Sequence, residues 1–411
     1  MVLMSARAAS VRSAEVAIVR AAAVVQGLAL VTVPTLSTVL TDPARFALSQ
    51  TAYGALFVPQ SVLAIVFSLA GGRLTRRFGL KRVLLVGLAA DAVSMGLLAA
   101  SARLGTSHAF AYAALLCATA CLGFGFAIVT PALNVLAGGF EPRNVDRAVL
   151  IVNALLGAAA ALAPVLLVVF VGLGFWWGLP LLAGSAMAVL FALAQRLPFD
   201  VAQRAAAGSR LRIPARFWVF AAFALTYGFC EQMIGSWAPL YVTDQLGAAA
   251  AFGSLALTLF WGCIAAARVG FALSSRQLAA TTVFRVLPFV LAAAFALLAR
   301  TPAHASPLAA AGAFALAGLG ASALLPLVIS FCERSIPEEA TAVTSFVFAI
   351  YLIGYGLAAY GAGPLQRFGF SLRDSYEACI VLSLAVGALA FGIVAVLNRS
   401  PHSLEPAGEH A

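Results

Sequence analysis

The sequence predicts an all-α membrane protein with twelve transmembrane helices in two six-helix bundles. Three observations carry this. The first is composition: of 411 residues, 63% are hydrophobic and 10% are charged, with a mean hydropathy of +1.01. A soluble globular protein runs at roughly 45–50% apolar and about 25% charged. Such a chain has too little polar surface to face water, which excludes a soluble enzyme, a disordered protein and a disulfide-stapled secreted module. The second observation is that the apolar residues fall into long runs, suited to helices rather than barrel strands. A crossing helix needs about 20 residues, so twelve use roughly 240 and leave short loops and tails. The third is the unequal distribution of basic residues between alternate loops.

In chain order, the first half (1–195) holds apolar runs at 21–40, 51–71, 83–101, 109–137, 148–172 and 177–195. The opening run is too long, and too closely followed by another, for a cleaved signal peptide. A polar, Arg-rich stretch at 196–216 (RLPFDVAQRAAAGSRLRIPAR) forms a linker. The second half (217–411) holds runs at 217–242, 251–273, 283–299, 307–331, 341–363 and 376–397, then a short tail. With the N-terminus inside, one set of loops carries 20 of the 25 Lys and Arg residues and the other carries 5. Basic residues stay on the cytoplasmic side, so both termini and the linker are expected in the cytoplasm. A miscounted span would scramble that alternation. Lys81 is the only lysine. Together with abundant Ala and Gly, this resembles a GC-rich bacterial sequence and places the protein in the inner membrane.

The net charge of +10 is read as membrane orientation rather than nucleic-acid binding, because the basic residues lie between apolar runs. The six cysteines lie inside or at the ends of apolar runs. Only Cys117 and Cys121 share a spacing that could place them together on a helix face. The four His fall in loops and the tail, so packing is expected and no metal. No phosphate-binding loop is present, and no cofactor is expected.

Two halves of six helices around a cytoplasmic linker resemble the major facilitator superfamily. The local match lies between spans two and three, at Gly72-Arg73-Leu74-Thr75-Arg76-Arg77-Phe78-Gly79-Leu80-Lys81-Arg82. The family pattern is close to G-x-L-[AS]-D-R-x-G-R-[RK], met here by Gly72, Leu74, Arg77, Gly79 and Lys81. The glycines suit a tight conformational loop, and the basic residues hold it at the cytoplasmic face. Arg76 stands where the family has an acid, so the family's charge network at that loop is altered. A degenerate echo runs from Arg268 to Arg276 after span eight, as an internal repeat implies. Span seven (TYGFCEQMIGSWAPLYVTDQLG, 226–247) and FWGCIAAARVG (260–270) resemble the fucose-permease-like branch. The resemblance implies a central cavity between the bundles that opens alternately to either side. Spans one, four, seven and ten line that cavity, and the fold usually works as a monomer.

Deep ionisable groups are scarce, and each costs at least ~2.5–3.5 kcal/mol at the bilayer centre. Glu231 lies about 22 Å into span seven at 1.5 Å per residue, near the midplane. There it could take a proton from one side and release it to the other; the alternative is a structural carboxyl bonded between helices. Tyr227 lies one turn earlier on the same face, with Gly228 and Gly235 permitting close approach. Asp91 is central in span three, as a proton relay or paired with a neighbouring polar group. Arg268 snorkels to the cytoplasmic surface or pairs with a charge across the domain interface. Gln26, Asn134, Gln232, Trp237, Trp261, Tyr351 and Tyr355, with Tyr227, are candidate substrate contacts: aromatic faces stack on sugar C–H surfaces and amides bind hydroxyls. Each could instead join helices or sit in the interfacial aromatic belt. Pro34, Pro131, Pro164, Pro239 and Pro326 could kink their helices.

The expected function is secondary active transport of a small organic solute, driven by protons, with uptake of a polar metabolite such as a sugar as the first reading. Span five supports uptake: it reads GAAAALAPVL at 157–166 and lacks a G-x-x-x-G-P-x-x-G-G stretch, which resembles the signature of drug antiporters. Proton-driven export of amphiphilic compounds is the alternative, suited to 29 Phe residues. A non-transporting membrane sensor is the third, and would call for an extra domain or a long tail. Partners are the solute, protons and the lipid bilayer, with no nucleic acid.

Overall fold

The computed structural model describes residues 2–104, 108–199, 214–274, 277–302, 305–336 and 340–399. Most of the 196–216 linker, with Arg204, Arg210 and Arg212, lies outside the described residues, as do Arg276 and the tail beyond residue 399. The described chain folds into twelve helices long and apolar enough to cross a membrane. They run Val11–Thr41, Gln50–Phe78, Leu80–Ser101, His108–Phe140, Arg147–Gly172 and Gly178–Gln195, then Phe217–Gln245, Ala250–Leu273, Ala280–Arg300, Pro307–Ser335, Val343–Arg367 and Leu372–Asn398. These are spans one to twelve. Helices suit oil because every backbone N–H and C=O finds its partner within the segment. The outer faces expose apolar side chains such as Val66, Val93, Val169, Phe289 and Phe391.

The six expected runs in each half are all present, most of them longer than expected, because polar helix ends extend beyond the apolar stretch. Span one begins within a helix that starts at Val2 and then breaks into short pieces, Thr32–Thr35 and Ser37–Thr41, around Pro34. Span seven ends in a π-helical turn, Tyr241–Gln245, two residues past Pro239. Span ten is broken between Ala321 and Leu324. The conformational loop is shorter than expected. Gly72, Arg76 and Arg77 belong to the last turns of span two, and the turn itself is Gly79, whose φ of +83° suits glycine. Arg76 and Arg77 are exposed. Lys81 donates to the Gln195 carbonyl at 2.9 Å, a cation on the C-terminal end of span six.

In both halves glycines allow close approach between corresponding pairs of helices. A Cβ on Gly27 of span one would fall 2.1 Å from the Leu156 carbonyl oxygen of span five, and one on Gly354 of span eleven 1.9 Å from that of Leu225 in span seven. A Cβ on Gly123 of span four would meet Gln60 O of span two at 2.0 Å, and one on Gly318 of span ten would meet Phe260 O of span eight at 2.3 Å. Spans one and five thus match seven and eleven, and two and four match eight and ten.

An even number of spans puts both chain ends on one face, the terminal face; loop 42–49 lies on the opposite, distal face. The halves meet through span two against span eleven, span five against span eight, and span seven against the end of span one. Hydrogen bonds join them at the distal end. Gln50 Nε2 donates to Asp244 Oδ2 at 2.7 Å, Thr51 Oγ1 to Gly363 O at 3.1 Å and Tyr53 OH to Ser236 O at 2.9 Å. The Tyr53 ring packs edge-on against Trp237 at 5.2 Å. Nearer the terminal face, the ion pairs Arg12–Glu15 and Arg20–Glu141 and the Arg268 hydrogen bond to Ser322 stay within one half. The molecule is therefore clasped on its distal side.

Candidate functional site

Span seven is buried along most of its length, which explains why it tolerates a carboxyl group. Glu231 is 3% exposed and faces span eleven, away from lipid. The two helices can approach because of glycine on each side: a Cβ on Gly228 would fall 2.4 Å from Tyr351 O, and Gly354 takes the Leu225 carbonyl. The approach brings the Tyr351 hydroxyl to Glu231 Oε2, donating at 2.7 Å. Tyr227 stacks on Tyr351 with ring centres 6.0 Å apart, and Tyr355 follows at 6.2 Å from Tyr351. The Tyr227 hydroxyl, one turn before the Glu231 carboxyl, donates to Ala321 O at 2.8 Å, and Arg268 acts on that carboxyl through its charge. Among the described residues Arg268 is not ion-paired with it: the ion pairs there are Arg12–Glu15, Arg20–Glu141 and Arg45–Asp42.

Around this carboxyl stand polar groups with spare capacity. Gln232 is fully buried and donates its Nε2 to Ser236, which leaves its Oε1 without a partner beside Gly235. The Trp261 ring on span eight lies against Gly235, and its Nε1 also lacks a partner. Tyr355 lies beside Gln232. Buried donors and acceptors are nearly always paired. Gln232 and Trp261 thus offer one acceptor and one donor that a ligand could complete.

Of the residues singled out from sequence, Glu231, Tyr227, Gln232, Trp261, Tyr351 and Tyr355 come together in the second half. Trp237 sits two turns further toward the distal face. It is fully buried, its Nε1 donates to Ala358 O at 3.1 Å, and its ring backs Tyr53 of the other half. Asn134 of span four accepts from Asn153 of span five at 3.0 Å. Gln26 and Asp91 form a separate, fully buried couple in the first half. The Gln26 amide lies beside the Asp91 carboxyl, and neither completes a hydrogen bond of good geometry. The carboxyl rests on Gly125 of span four, where a Cβ would fall 2.1 Å from Oδ1. Arg268 pairs with a backbone carbonyl of its own half, with Nε on Ser322 O at 2.8 Å, rather than with a charge across the interface.

Sequence reasoning missed the distal clasp formed by Gln50, Tyr53 and Asp244. It also missed Gln60 and Ser61 of span two, each with an unpartnered side-chain oxygen near the interface. Ser61 lies against Gly356 of span eleven. The available signal was the pair Gln60-Ser61 inside an apolar run. An apolar groove of about 360 Å³ opens between spans one and six, lined by Ala21, Val25, Leu182 and Val189.

Comparison with known proteins gives the following. Residues 21–359 match the sequence model described as Major Facilitator Superfamily. No curated protein matches by sequence. Among solved structures, a variant of the nucleoside transporter NupG superposes with a TM-score of 0.72 at 14% identity, covering 93% of this chain and 99% of its own. A variant of the Escherichia coli fucose:proton symporter FucP gives 0.62 at 14% identity, over 93% and 98%. FucP in an outward conformation gives 0.63, with the same identity and coverage.

Proposed function

Because this chain belongs to the Major Facilitator Superfamily and is a transporter, we propose that it carries a small polar metabolite inward by alternating access, together with a proton held on Glu231. The observation that carries the reading is Glu231 itself: a carboxyl almost wholly buried in span seven and bonded to Tyr351. An ionised group so placed is costly, and a neutral one is not. Proton binding therefore changes the energy of the surrounding contacts, which an alternating carrier requires. Asp91, buried beside Gln26, is the second carboxyl we assign to proton handling.

The substrate we propose is hydroxylated and carries a face suited to aromatic stacking, a sugar or a nucleoside. Gln232 Oε1 and Trp261 Nε1 supply an open acceptor and donor, and the tyrosines of spans seven and eleven supply ring faces. Gln26 and Asn134 are the contacts proposed from the first half. FucP and NupG, each similar in fold, are by name a fucose:proton symporter and a nucleoside transporter. The basic asymmetry makes the terminal face cytoplasmic, so the distal clasp closes the outer side. We assign the 1–195 and 217–411 halves as the two rocking bundles and the monomer as the working unit.

The test is uptake by purified protein in proteoliposomes with an inside-alkaline pH gradient, offered radiolabelled hexoses, 6-deoxyhexoses including fucose, and nucleosides in turn. Accumulation of one class, abolished when the gradient is collapsed, is the expected result. Accumulation of none, with resistance to amphiphilic cations when the protein is expressed in a pump-deficient host, would favour export instead.

A further inference from the structure

Span ten is interrupted at Ser322 and Ala323, between the helices Pro307–Ala321 and Leu324–Ser335. Pro326 explains the break. Proline has no N–H, so the carbonyl four residues earlier, that of Ser322, has no partner within the helix. Two side chains from other spans fill the gap. Arg268 of span eight donates its Nε to Ser322 O at 2.8 Å, and Tyr227 of span seven donates its hydroxyl to Ala321 O at 2.8 Å. Tyr227 also lies one turn before Glu231 on the same face of span seven and stacks on Tyr351, whose hydroxyl bonds the carboxyl, and the charge of Arg268 reaches the same carboxyl.

We propose that Tyr227 and Arg268 are positioning residues that couple the proton on Glu231 to the bend in span ten. The inference rests on the proton-coupling reading above. A tyrosine has one O–H and donates to one strong acceptor at a time. While Glu231 is protonated, both donors stay on the two carbonyls and hold the break. Once Glu231 ionises, its carboxylate becomes the stronger acceptor, since hydrogen bonds to a charged group are roughly twice as strong as neutral ones. Tyr227 and the Arg268 guanidinium then turn toward it, the carbonyls of Ala321 and Ser322 lose their donors, and the two segments of span ten re-set their angle.

The other groups around Glu231 are the Tyr351 and Tyr355 hydroxyls of span eleven, Cys230 on its own helix, and Cys379 of span twelve beside Cys230. Among the described residues, only Tyr227 and Arg268 also bond the break.

The experiment needs no substrate. Hydrogen–deuterium exchange is followed on the peptide spanning 317–331 in the purified full chain in nanodiscs, from about pH 5 to about pH 9, corrected for intrinsic exchange. The wild type should change protection by about fivefold or more across that range, the usual scale of coupling between sites. Glu231→Gln should be flat. Tyr227→Phe, which keeps the ring, and Arg268→Gln should each flatten the slope, whereas Arg268→Lys should restore part of it. Pro326→Ala gives Ser322 O a backbone donor and should flatten the response with Glu231 and Arg268 intact. A merely structural role would shift protection equally at every pH. That pattern in Tyr227→Phe, Arg268→Gln and Pro326→Ala, with Glu231→Gln flat, would overturn the coupling inference and leave the proton reading standing. A full slope in Glu231→Gln, or a flat wild type, would overturn the coupling inference, while the proton reading stands or falls on gradient-driven accumulation in Glu231→Gln.

Discussion

Replacing Glu231 by Gln is expected to abolish gradient-driven accumulation and leave equilibration intact. Gln has nearly the same shape and still accepts a hydrogen bond from Tyr351, so the contact between spans seven and eleven survives. What it cannot do is release a proton. Each pH unit is worth 1.36 kcal/mol per proton. A gradient of about two units therefore supports up to about 100-fold accumulation of a solute moved with one proton, and the variant should reach a ratio of about one. Labelled solute in proteoliposomes reads both numbers. Counterflow, which exchanges solute without net proton movement, should persist in the variant. Accumulation at the wild-type ratio would remove Glu231 from the coupling step.

The second large effect is expected at the distal clasp. Trp237 is fully buried, bonds Ala358 of span eleven and backs Tyr53 of the opposite half. Trp237→Ala removes that ring and the side-chain hydrogen bond to the Ala358 carbonyl. Truncating a buried Trp costs about 3–5 kcal/mol, and here the loss falls on the conformation closed at the distal side. The variant should unfold at lower temperature and populate a distally open form. A cysteine placed at Ser61, in a background lacking the six native cysteines, should then react with an impermeant thiol reagent from the distal side, whereas the parent stays protected. Trp237→Phe keeps most of the buried volume and loses only the N–H bond, a loss of about 1 kcal/mol. Equal labelling of Ser61→Cys with and without the Trp237→Ala change would show that the clasp does not close this path.

The spans were legible because each is a long apolar run with at most a rare charge, and in oil a run of that length is a helix. Glu231 stood out for the same reason: one carboxyl in a buried helix contrasts with every neighbour. Its partners were harder to read. Tyr351 meets it only because Gly228 and Gly354 let spans seven and eleven touch, and no pattern within a single span encodes that register. Arg268 reads from sequence either as a snorkelling side chain or as one paired with a charge across the interface, because its depth is visible and its partner is not. That partner, Ser322 O, is freed by Pro326, which is itself plain in the sequence. The cross-half contacts of Gln50, Tyr53 and Asp244 were invisible, since ordinary polar residues at span ends look the same whether they meet water or the other bundle. Asp91 and Gln26 each stand out as polar groups in apolar runs, and their adjacency across spans one and three emerges only in the fold.

The most direct test of proton transport through Glu231 uses no imposed pH gradient. Proteoliposomes carrying an internal pH-sensitive dye are given, from outside, a solute that the protein takes up. The account predicts that solute entry acidifies the interior, one proton per molecule, and that Glu231→Gln admits solute with no change in pH. Solute entry without acidification in the wild type, or unchanged acidification in Glu231→Gln, would contradict it.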